Sequence, residues 1–102
     1  MPKYVIAYLG GKQVADPEAR ATQMAKWKAW VDGLGDCMVN PGMPLGQGKL
    51  VSSDGVSERG PNHLTGFSIV LAEDMDAALE VAQRCPFLEI GTIEVAEAME
   101  MR

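Results

Sequence analysis

His63 is the only histidine in this chain of 102 residues. It stands between Gly60-Pro61-Asn62 and an apolar run that opens at Gly66, where an imidazole could take or give a proton near neutral pH. A proton shuttle needs an orienting carboxylate, and Asp54 or Glu58 could fold back to supply one. Arg59 could hold a carboxylate ligand through parallel N–H groups. Tyr4 and Tyr8 share one face of a short strand, and each brings a hydroxyl that needs a partner once buried. Trp27 and Trp30 lie three apart on one helix: Trp27 belongs to its apolar stripe, whereas Trp30 lies off the edge and could border a groove. The residues to watch are therefore His63 as acid or base, with Tyr4, Tyr8, Trp30, Asp54 and Arg59 as ligand contacts.

Other reactive types fall short of a site. Cys37 and Cys85 are the only cysteines, and neither has the neighbouring histidine or second cysteine of a zinc or redox pair. Cys85 closes a helix, beside the negative pole that raises a thiol pKa and makes a poor nucleophile. Glu94, Glu97 and Glu100 are spread along the chain and do not converge as a divalent cation requires. Gly10-Gly11-Lys12 lacks the glycine spacing and the Lys-Ser/Thr pair of a phosphate loop. No metal and no cofactor are expected.

The elements that must position these groups read clearly. Phe67, Ile69 and Leu71 alternate with Ser68, Val70 and Ala72 at the period of a strand. Asp74 then offers an acceptor to free helix amides, and Met75, Ala78, Leu79, Ala82 and Cys85 recur at helical spacing until Pro86. Strand alternation resumes over Ile90 to Val95. In the first half, Tyr4 to Leu9 is a strand ended by Gly10-Gly11. Asp16-Pro17-Glu18 opens a helix whose stripe is Met24, Trp27, Val31 and Leu34, with Arg20, Lys26 and Lys28 mostly elsewhere. Gly33 and Gly35 stop it, and Asp36 to Asn40 supplies a brief second strand.

Strand-helix-strand, twice, is the pattern of a ferredoxin-like α+β domain: four antiparallel strands with both helices on one face. Between the halves, residues 41–63 hold a hairpin, with Lys49-Leu50-Val51 and Val56 to Arg59 flanking the turn at Ser53-Asp54-Gly55. Residues 1–102 have room for one domain, since a chain of this length buries roughly 60 to 70 per cent of its unfolded surface.

The formal net charge of -5, with no basic cluster, argues against duplex nucleic acid and anionic membrane as partners. No apolar run approaches the roughly 20 residues of a membrane span, and Met1-Pro2-Lys3 leads straight into a strand; a cytoplasmic location is the default. Two helices cover only one face of a four-stranded sheet, yet both faces are apolar here: Val5, Ala7 and Leu9 oppose Tyr4, Ile6 and Tyr8. A homodimer, closed about a two-fold axis, would bury the open face. The face bearing Tyr4 and Tyr8 would then line the space between the sheets, where a small molecule could bind.

The chain resembles the YCII-related family, in the branch labelled by a DGPF motif. The likeness runs nearly end to end, through Lys3-Tyr4-Val5, Met24 to Trp30, Pro44-Leu45-Gly46 before Ser53-Asp54-Gly55, Gly60-Pro61-Asn62 before Gly66-Phe67-Ser68, Asp76 to Leu79, and Cys85-Pro86 before Gly91 to Val95. It implies a ferredoxin-like fold paired as a dimeric α/β barrel. Better-understood members look like small enzymes built around a histidine and aspartate pair. The aspartate position, just before a proline after the second helix, holds Cys85 here, and no histidine stands near the start of the first helix. The motif itself is partial: Asp54-Gly55 continues into Val56-Ser57, and Gly60-Pro61 into Asn62. The expectation is a dimeric small-molecule binding or accessory module, ahead of a lyase- or isomerase-type enzyme using His63, or a regulatory partner of another protein.

Overall fold

The computed structural model describes residues 1–12 and 14–101. Eight elements follow one another: β1 (Lys3–Leu9), α1 (Pro17–Leu34), β2 (Met38–Asn40), β3 (Leu50–Ser52), β4 (Gly55–Ser57), β5 (Leu64–Leu71), α2 (Met75–Gln83) and β6 (Thr92–Ala98). Short 3-10 turns cover Gly35–Cys37 and Pro86–Glu89. Both helices start where side-chain acceptors meet free amides: the Glu18 amide donates to Asp16, and the Ala77 amide to Asp74. The second strand is shorter than its apolar run, because Asp36 and Cys37 belong to the turn that carries the chain out of α1. The last strand starts late for a similar reason. The Ile90 amide is bonded back to Phe87, so pairing begins at Thr92 and runs on to Ala98.

The main sheet has the order β2-β5-β1-β6, antiparallel throughout, and β3 and β4 form a separate two-stranded arm. This is the ferredoxin-like arrangement, with the first and third strands of the repeat central. Ile6, Val70 and Ser68 are fully buried between sheet and helices, joined by Tyr4, Tyr8, Ala72, Ala78, Ala82 and Cys85. The register places Tyr4, Ile6 and Tyr8 opposite Val70, Ser68 and Gly66.

One expectation is overturned by that register. Tyr4 and Tyr8 face the helices, 3 % and 5 % exposed, and not the open side of the sheet. The open face carries Val5, Ala7, Leu9, Phe67, Ile69 and Leu71, all partly exposed. No described helix is long and apolar enough to cross a membrane.

Candidate functional site

A cavity of about 440 Å³ opens between the N-terminal half of α1 and the end of the sheet where β1 finishes and β5 begins. That lies within the size range of small-molecule sites. Its roof is one face of α1: Arg20, Gln23, Met24 and Trp27 are spaced at i, i+3, i+4 and i+7, which stacks them over one another. The floor is Tyr8 with Thr65 and Gly66, and Phe87 and Ile90 close the rear.

Two close approaches hold the walls in place. A Cβ on Gly91 would sit 2.5 Å from the Phe87 ring, so the ring can lie flat on this backbone only because no side chain intervenes. The ring then leans on Tyr8, with centroids 5.0 Å apart and planes at 50°. On the opposite wall, Gly42 has φ 75° and its absent Cβ would fall 1.7 Å from the Phe67 carbonyl oxygen. Only glycine lets the segment after β2 cross β5 there.

Polar groups in the cavity are few and mostly committed. Gln23 donates through Nε2 to the Pro86 carbonyl at 2.9 Å, and the Thr65 hydroxyl donates to the Tyr8 carbonyl at 3.1 Å. The Ser68 hydroxyl donates to the Pro41 carbonyl at 2.8 Å, which uses its one proton. The 2.7 Å contact between Tyr8 and Ser68 must therefore be donated by the phenol. What Tyr8 has left to offer is acceptance by its oxygen, which the Trp27 N–H already shares. Burial raises its pKa, against hydrogen bonds with Ser68 and Trp27 that lower it, so it stays a neutral phenol near pH 7. Cys85, beside it, is likewise raised by burial, against the Phe87 backbone and Tyr8, and is held as a thiol. The direction matches the reading of Cys85 as a poor nucleophile, but burial is the larger cause.

The residues picked from sequence scatter. Tyr8 lines this cavity; Tyr4 sits further along the core, where burial and then the Glu97 and Asp74 carboxylates raise its pKa. Trp30 spends its indole N–H on the Val81 carbonyl at 3.1 Å, pinning α1 to α2. His63 and Arg59 instead share a second hollow, of about 720 Å³, at the base of the arm. There Arg59 donates to the Leu64 and Gly46 carbonyls at 3.2 and 3.3 Å. His63 Nδ1 lies 3.0 Å from the Gly60 carbonyl, which makes that nitrogen the donor. Neither expected carboxylate orients the imidazole. Asp54 lies in the arm's turn, its amide bonded to Ser52, and Glu58 pairs with Lys49. Among the described residues, no three of His, Cys, Asp and Glu converge as a metal site.

Arg20, Gln23 and Phe87 escaped the sequence reading, and Trp27 was taken as core alone. A signal for Arg20 was present. Its spacing from Gln23, Met24 and Trp27 puts it on the apolar stripe, not elsewhere, and a cation there marks a face that is not simply core.

Comparison with known proteins agrees with the topology. No curated protein matches the sequence. Among solved structures, 5-chloro-2-hydroxyhydroquinone dehydrochlorinase from Burkholderia phenoliruptrix, in complex with 2,5-dihydroxybenzoquinone, superposes with a TM-score of 0.62. The match has 17% sequence identity and covers 97% of this chain and 95% of that one. The likeness is one of fold. The model of the YCII-related domain matches residues 3–102, and the chain belongs to that family.

Proposed function

We propose that this protein binds a small organic molecule in the cavity beneath α1, as a homodimer joined through the open face of its sheet. The observation that carries the binding reading is a largely apolar, half-open cavity with one neutral phenol oxygen on its floor. Such a space selects by shape and by a single well-placed polar contact. The structural neighbour of the same fold holds a small ring compound in its complex. Support for the dimer comes from shape: the molecule measures 46 × 40 × 19 Å. Its radius of gyration of 14.8 Å exceeds the roughly 13 Å of a compact chain this long. A thin layer with an apolar outer face is completed by a second copy, and a monomeric mass in sedimentation equilibrium at micromolar concentration would refute that part.

Thermal unfolding with a panel of hydroxylated aromatic compounds tests the site. A ligand specific to the native state raises Tm with concentration by mass action. The shift disappears in Met24→Trp, which crowds the cavity from a side chain 57 % exposed, and survives in His63→Gln. The reverse pattern would move the site to the base of the arm and revive acid–base chemistry at His63. No shift with any compound removes the proposal.

A further inference from the structure

The charge of the cavity is inverted relative to the chain. The sequence holds 14 acidic against 9 basic residues, yet the lining includes Lys12 and Arg20 and not one aspartate or glutamate. Elsewhere Lys26 and Lys49 pair with carboxylates, and Arg59 is spent on carbonyls. Among the described residues, Arg20 and Lys12, like Lys3, Lys28 and Arg84 on the outer surface, make no ion pair and no side-chain hydrogen bond, but only these two line a cavity. Arg20 also stands in the opening turns of α1, near the pole that disfavours a cation. Asp16 and Glu18, the nearest acids in sequence, do not line the cavity. A guanidinium on the inward stripe of a helix, close to the positive pole and without a carboxylate, is placed to receive an anion.

The rest of the lining says what the anion is attached to. Trp27 and Phe87 offer flat apolar surfaces, and Tyr8, its proton given to Ser68, offers its remaining acceptor capacity beside the Trp27 N–H. We infer that the ligand is an aromatic acid: a planar ring lodged by Trp27 and Phe87, its carboxylate or ionised oxygen at Arg20 and Lys12, and a hydroxyl donor directed at Tyr8. This rests on the reading of the cavity as the binding site.

Calorimetric titration with a hydroxynaphthoate and with the corresponding uncharged hydroxynaphthalene methanol tests it. The acid binds about threefold to tenfold tighter than the alcohol, the range for a charge contact at a partly solvated rim, and the advantage fades as salt is raised. Arg20→Gln combined with Lys12→Gln, both at exposed positions, removes the preference, so that the acid and the alcohol bind equally in the variant. Equal affinity for the two compounds in the native protein, or a preference that survives the double substitution, overturns the inference while leaving the cavity a binding site. Failure of both compounds to bind overturns the inference together with the reading beneath it.

Discussion

The two helices lie on the same side of the sheet but meet it differently. α2 sits down on Ala78 and Ala82, both buried, so its backbone comes close and the layer seals. α1 buries no residue completely and stands on Trp27, Trp30 and Leu34, with Met24 largely exposed. Side-chain size sets the distance between packed layers, so alanines close a gap that indoles prop open. The space under the first turns of α1 follows from that choice of residues. A cavity here is not a packing fault in an otherwise uniform core but the consequence of mounting one helix on large side chains.

Enlarging a contact residue on each helix breaks the comparison most directly. Ala78→Leu overpacks the sealed layer and costs about 1–3 kcal/mol in urea unfolding. Leu34→Phe, at a half-buried contact of α1, costs less than about 1 kcal/mol, because the space beneath that helix is not close-packed. Equal losses would show that α1 is as tightly seated as α2.

Titration sharpens it at the junction between the helices' undersides. Burial raises the Cys85 pKa above the ordinary 9.0. As pH climbs past that value the unfolded chain releases a proton that the folded chain keeps. Stability is thus full below about pH 8 and falls above about pH 9, by no more than about 1.4 kcal/mol per pH unit for one group. Tyr8 adds to the loss above its ordinary 10.0. Cys85→Ala flattens the first part of this slope in unfolding series at successive pH values; an unaltered slope would mean that the thiol titrates as freely folded as unfolded.

The smallest effect concerns the surface tie between α1 and the turn after α2. Lys26 reaches Glu89 at 3.3 Å, with both side chains about half exposed. Lys26→Ala costs less than about 0.5 kcal/mol, and a larger loss would assign this pair a share in holding up the cavity roof.

Local rules made most of the fold legible. Strand alternation from Phe67 to Ala72 and the acceptors Asp16 and Asp74 each act within a few residues, and each recurs in the structure, whereas α2 ends at Gln83, short of the stop expected at Pro86, which opens a 3-10 turn. The hairpin around Ser53-Asp54-Gly55 was equally local. The site was not. Which face of β1 meets the helices depends on pairing with β5 across the whole chain, and both faces carry apolar residues, so Tyr8 was assigned to the wrong side. Phe87 enters through a local approach to Gly91 and long-range ones to Gly11 and Tyr8. Rarity drew attention to His63 as the lone histidine, whereas the cavity is built from common residues whose meaning lies in where they converge.

The rim of the sheet bears on how copies of the chain can meet. β6 is an outer strand seven residues long, and it presents Glu94 and Glu97, both exposed. The opposite outer strand, β2, has three residues and runs into Pro41. Lateral addition of a like strand would set carboxylate against carboxylate on one side and find almost no ladder on the other. Ribbon growth and the filaments it leads to are therefore discouraged at both margins.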